Sequence, residues 1–257
     1  MILALTARLR PAPPLRASQH VLFCWAGALL LVGDAVFWLM FAAVQSDTGL
    51  AALDGPVHSL MVDSRSPAAT ALLAGVTIVT APEVLTVIGA VFALVWAVRK
   101  RELWRPAVLM GAMVLAVVVT TLIKQLVSRS RPPSSDFLLG PDDALSFPSG
   151  HTVGIGVFTV VLAYLVLSRS GTRTTAVLGF SAAFAVVALV GLSRLYLGYH
   201  WLTDVVASLG VALAVAAVAM FTDAARHGSA KSRSGALNGR AATSLPAADP
   251  SAPDAQA

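Results

Sequence analysis

Phe147-Pro148-Ser149-Gly150-His151 stands where a polar loop over 128–148 gives way to an apolar run over 149–168. About 20 apolar residues suffice to cross a bilayer as a helix. Two other polar clusters sit at the ends of apolar runs in the same way. Lys124 to Pro132 reads K-x6-R-P and closes the run 106–127. Ser193 to Asp204 reads S-R-x5-H-x3-D and lies between runs at 174–192 and about 200–222. Three cations, two histidines and one carboxylate therefore collect where helices meet the membrane edge.

The rest of the chain fits that setting. Of its 257 residues 57% are hydrophobic and only 12% charged, about half the charge of a soluble domain. The formal net charge is +5. Its cations flank apolar runs and form no stripe, so anionic lipid headgroups explain them and nucleic acid does not. The lone cysteine, Cys24, excludes an internal disulfide and a cysteine metal site, and is expected to pack inertly in its helix.

Taken in order, residues 1–19 carry Arg8, Arg10 and Arg16 with no acid and read as a disordered basic leader. The run 21–45 is too long for a signal-peptide core and reads as a retained span. Asp34 interrupts it and is expected to face the bundle, with a structural hydrogen-bonding role, because a carboxylate in lipid is costly. Residues 46–66 suggest a short surface helix built on Val57, Leu60 and Met61, with His58 an exposed histidine. The run 67–98 should break near Thr80–Pro82, since the residue before a proline resists the helical region. Glu83 then caps the second part against the helix dipole. Ser193 to Tyr199 is expected to be a turn, and the tail 223–257 disordered. The result is an all-α fold: a polytopic membrane bundle of six transmembrane helices over 20–222. The leader, the loop with Arg99, Lys100, Arg101 and Arg105, the turn with Arg169 and Arg173, and the tail with Arg226, Lys231 and Arg233 fall on one side. The positive-inside rule makes that side cytoplasmic, with both termini there and the three motifs extracytoplasmic.

The motifs carry a chemistry. Phosphate spreads its charge over its oxygens and needs several fixed donors. Arg131 and Arg194 offer planar forks and Lys124 a point charge. Ser149 supplies a hydroxyl, and the start of a helix at Gly150 supplies backbone N–H groups that a glycine lets an anion approach. His200 and Asp204 are four apart, so on one helix face the carboxylate can hold one ring nitrogen protonated and leave the other to attack. His151 is left to protonate a leaving oxygen.

These three motifs, in this order, resemble the signature of the type 2 phosphatidic acid phosphatase (PAP2) family, over roughly residues 54–222. That family joins lipid phosphatases to vanadium haloperoxidases. The resemblance implies that His200 forms a phosphohistidine and His151 is the general acid. It also implies that Lys124, Arg131, Ser149, Gly150 and Arg194 bind phosphate. Arg129, Tyr196 and Tyr199 fall in motif gaps and read as packing or headgroup contacts.

No metal or other cofactor is expected. Phosphoryl-transfer metals want several carboxylates. Only Asp136, Asp142, Asp143 and Asp204 lie near the motifs, and Asp204 is already used. The expected partners are the bilayer and a lipid phosphate or polyprenyl diphosphate, with no nucleic acid. A phosphotransferase using the same phosphoenzyme is one alternative. A transporter or scaffold that kept the fold is another, though both histidines are present. A haloperoxidase is disfavoured, because those relatives are soluble.

Overall fold

The computed structural model describes residues 19–243. Eight α-helices lie among them: α1 Gln19–Ser46, α2 Asp54–Asp63, α3 Pro67–Val79, α4 Pro82–Lys100, α5 Trp104–Val127, α6 Gly150–Ser170, α7 Arg173–Tyr196 and α8 Leu202–Thr243. Six of these, all but α2 and α3, are long and apolar enough to cross a membrane. Local chemistry fixes the boundaries. Ser66 caps α3 by accepting from the Ala69 N–H, with Pro67 in the first turn. Pro82 opens α4, so the apolar run 67–98 breaks where its sequence predicts, and Glu83 sits in the first turn. Thr172 and Thr175 cap the start of α7 reciprocally.

α5, α6 and α8 form the centre, where Leu109, Val157, Leu165 and Ala216 are sealed from solvent. α1 lies against α8 at two glycines. A Cβ on Gly33 would come within 2.6 Å of the Gly210 carbonyl oxygen. Small residues let membrane helices approach this closely. Outside, Leu31, Leu94, Val98, Leu126 and Phe184 are each more than half exposed, a surface suited to lipid.

Several expectations need correction. α7 runs on to Tyr196, so Arg194 projects from a helix and not from a turn. α8 continues to Thr243, past the boundary expected at 222, and Asp223 is 2% exposed. Asp34 is exposed. Ala26, Gly33, Met40 and Ala43 are the buried residues of α1, and Asp34 is one step round the helix from Gly33. Cys24 is exposed as well and does not pack. His58 is not a free surface histidine: its side chain is 11% exposed and its Nε2 lies 3.0 Å from Asp136 Oδ2. The leader (but for residue 19) and the last part of the tail, 244–257, lie outside the described residues.

Candidate active site

Three helix ends meet at one end of the bundle: the close of α5, the start of α6, and the turn between α7 and α8. Phe147 locks the α5–α6 loop down. It is fully buried against Met40 of α1 and Ala207 of α8. Tyr199 holds the loop's other arm, accepting from the Leu139 N–H at 3.0 Å and donating to the Gly140 carbonyl at 2.7 Å. The turn needs Gly198. Its φ is +87°, and a Cβ there would sit 2.5 Å from the Asp136 carbonyl oxygen.

His200 lies just before α8 and is 2% exposed. Its Nδ1 is 3.3 Å from Asp204 Oδ2, in the first turn of α8. The same carboxylate oxygen accepts the Trp201 N–H at 2.9 Å, so Asp204 also caps its helix. On the other side of the ring, Arg131 Nη1 is 3.4 Å from His200 Nε2. A guanidinium only donates. The network therefore assigns the ring proton to Nδ1 and the lone pair to Nε2, pointing toward the cations. Burial pushes the His200 imidazole down to about 3, against the opposing pull of Asp204, and Arg194 and Arg131 push the same way. A neutral ring with a directed lone pair is the form a nucleophile needs.

Arg131 and Arg194 bear electrostatically on that ring, and Lys124 bears on both of them. Arg131 is fixed by the carbonyls of Ala144 (2.5 Å) and Tyr199 (2.8 Å) and by Asp142 (2.9 Å). Burial lowers its pKa from the ordinary guanidinium value, while Asp142 and Asp204 oppose the shift. Lys124 donates to the Leu145 carbonyl. Arg194 is 4% exposed, stacks 4.4 Å over the Tyr199 ring and donates to Thr77 Oγ1 at 2.8 Å. Its Nε is buried with no hydrogen-bond partner among the described residues. An orphaned charged donor at that depth calls for an anion. His151, half-buried in the first turn of α6, is within Coulombic reach of Arg194, His200, Arg131 and Lys124. The first N–H groups of α6, from Gly150 on, have no acceptor within the helix. Ser149 differs in detail from expectation: its backbone N–H is spent on Ser208 Oγ at 2.9 Å. Its hydroxyl accepts from Thr152 and keeps its own proton to give.

Sequence reasoning missed the support behind Asp204. Arg129 binds Asp204 Oδ1 at 2.6 Å through Nη1 and Asp54 Oδ2 at 2.7 Å through Nη2. Asp54, 5% exposed, also accepts the Thr203 N–H and hydroxyl. Ser146 donates to Asp204 Oδ2 and lies 3.4 Å from His200 Nδ1. Arg129 is thus no headgroup contact, whereas Tyr196 and Tyr199 are buried packing residues. The available signal was a second arginine two positions before Arg131. Nothing local named its partners. Among the described residues no group of three or more His, Cys, Asp or Glu is assembled as for a metal.

Fold and site together define a polytopic membrane protein with a cationic anion pocket around a buried histidine. The sequence model described as the PAP2 superfamily matches residues 105–226. It is 26% identical over 184 residues to phosphatidylglycerophosphatase B of Bacillus subtilis, covering 69% of this chain and 87% of the relative. It is 38% identical over 109 residues to a decaprenylphosphoryl-5-phosphoribose phosphatase of Mycolicibacterium smegmatis, covering 42% of this chain and 53% of the relative. The fold is similar to the crystal structure of a transmembrane PAP2 type phosphatidylglycerolphosphate phosphatase from Bacillus subtilis. The TM-score there is 0.67 at 22% identity, over 77% of this chain and 95% of that one.

Proposed function

We propose that the protein is an integral-membrane lipid phosphatase working through a phosphohistidine, with cations in the place a metal would fill. The observation that carries this is the setting of His200: Nδ1 tied to Asp204 and Nε2 open toward Arg131. In the first step Nε2 attacks phosphorus, and the bond from phosphorus to the lipid oxygen breaks. His151 gives that oxygen its proton. Lys124, Arg131, Arg194, the Ser149 hydroxyl and the first N–H groups of α6 hold the three spectator oxygens as charge develops on them. In the second step water attacks phosphorus, His151 takes a proton from it, and the P–N bond breaks to release inorganic phosphate and free His200.

A lipid substrate is supported by an apolar cleft of about 170 Å³ between α4, α5 and α6. Leu85, Met113 and Val117 line it, and Lys124 and Gly150 stand at its polar end. A tail lying there would present its phosphate to the cations. The relatives' names support a lipid-linked phosphate, a polyprenyl one included. The basic loops lie at the opposite end of the bundle, so the positive-inside rule favours an extracytoplasmic site. The test is phosphate release by purified protein from phosphatidate, phosphatidylglycerol phosphate and a polyprenyl diphosphate, with and without EDTA. Release from at least one, surviving EDTA and lost in His200→Ala, is expected. No release from any of them by folded protein, or release that His200→Ala retains, overturns the reading.

A further inference from the structure

The end of the bundle opposite His200 carries a second organised polar cluster, which the reaction does not use. Asp223 on α8 is its centre. It accepts from Trp104 Nε1 at 3.0 Å and from the Tyr164 hydroxyl at 3.1 Å. This fixes the Trp104 ring as a plate, and the Arg226 guanidinium lies 4.2 Å over it. Arg169 reaches Asp223 at 3.6 Å and Glu102 at 3.5 Å, and Arg105 meets Glu102 at 3.5 Å. Arg101 closes the group from the end of α4, in a left-handed conformation with φ 51°. Four arginines thus face two carboxylates here, two positive charges in surplus. Neither Arg101 nor Arg226 has a carboxylate partner among the described residues.

Two hollows adjoin at this point. One, of about 580 Å³, is lined by Arg101, Glu102, Trp104, Arg169 and Arg226. The other, of about 270 Å³, is an apolar groove between α5 and α8, with Gly111, Ala112, Val215, Val218 and Ala219 along it. Trp104 and Ala107 line both, so the two meet at these residues. From Trp104 to Leu115 the groove runs 11 residues, about 16 Å along the helix. That is about half the hydrocarbon thickness of a bilayer, or one leaflet.

The geometry points to a binding site for an anionic glycerophospholipid of the leaflet opposite the active site. Its phosphate lies among Arg101, Arg169 and Arg226, and one acyl chain lies in the α5–α8 groove. Charge complementarity selects the headgroup, and the adjoining groove, one leaflet long, selects a lipid over a free anion. The occupant is not a substrate in place, since α5 alone puts about 30 Å between Trp104 and Lys124. Its seat joins α5, which carries Lys124, to α8, which carries Asp204. Occupancy therefore stabilises the two helices whose far ends build the catalytic pocket.

The test is native mass spectrometry with thermal melting of purified protein in detergent. Phosphatidylglycerol, phosphatidylcholine and inorganic phosphate are added separately. The wild type is expected to retain one phosphatidylglycerol per chain and to melt higher with it than with phosphatidylcholine. Inorganic phosphate at equal concentration should do neither. Arg101→Gln with Arg226→Gln should bind phosphatidylglycerol about 30-fold more weakly, at roughly 5-fold per arginine. Gly111→Phe should weaken both lipids by filling the groove, where a Cβ meets nothing within 4 Å. Both variants should keep the lipid-free melting temperature. Equal effects of the two lipids on the wild type, an unchanged preference in the double variant, or full stabilisation by inorganic phosphate would each overturn the site. A double variant that melts lower without lipid is replaced by Gly111→Phe, whose unimpaired lipid binding likewise counts against it.

Discussion

At the scale of residues, the proposed mechanism gives the two histidines different roles because their surroundings differ. His200 has a carboxylate at hydrogen-bonding distance, and His151 starts α6 among cations. A lipid alkoxide needs a proton to leave, whereas nitrophenolate does not. General acid catalysis contributes about 10²–10⁴-fold. His151→Ala should lose that factor on a lipid phosphate and far less on nitrophenyl phosphate, measured with chemistry rate-limiting. Equal loss on both would leave His151 a binding role only. Asp54 supplies a second prediction. It touches no reacting atom and acts through Arg129 and Asp204. Asp54→Asn removes a charge-assisted bond worth about 1.5–3 kcal/mol, so kcat should fall on the order of 10- to 100-fold. KM should change little, because Lys124, Arg131 and Arg194 stay in place. An unchanged kcat, or a loss confined to KM, would contradict the positioning role. The eight candidate residues could be picked out because motif spacing ties each to a helix end. Asp54 and Ser146 were not, because their partners are set by packing: Asp54 is 75 residues from Arg129.

At the scale of elements, the pocket depends on how α8 is held. Gly33 and Gly210 let α1 lie directly on it, and a Cβ on Gly210 would meet Phe37 N at 2.8 Å. Gly33→Ala or Gly210→Ala must push the helices apart. The expected cost is about 1–3 kcal/mol, as for other overpacked contacts, with some loss of activity because Asp204 rides on α8. Gly27→Ala, on the same helix with nothing within 4 Å, should be neutral. Thermal melting in detergent compares the three, and equal melting temperatures would refute the close crossing. The spans themselves were readable from apolar length, and the break before α4 from Pro82. The end of α7 was misread because Ser193 and Arg194 are polar, while burial, not polarity, decides whether a helix continues. Asp34 was misplaced for the converse reason: the cost of a carboxylate in lipid does not set the helix face, which the Gly33 contact fixes.

At the scale of the whole molecule, the chain separates two charged ends across one bilayer. The prediction is that the catalytic end faces out. In a Cys24→Ala background, Asp143→Cys should react with an impermeant thiol reagent on intact cells, and Lys100→Cys only after permeabilisation. Both positions are exposed. The reverse pattern would invert the topology and leave the chemistry standing. The proposed chemistry rests on a covalent bond between His200 and phosphorus, and the direct measurement is to catch it. Protein mixed with lipid phosphate labelled in its phosphoryl group is quenched in alkali, where a phosphoramidate survives, and the labelled peptide is sequenced. Label on His200, acid-labile and absent from His200→Ala, is expected. Label on another residue, or steady turnover with no labelled protein at any quench time and unaffected by His200→Ala, would contradict it.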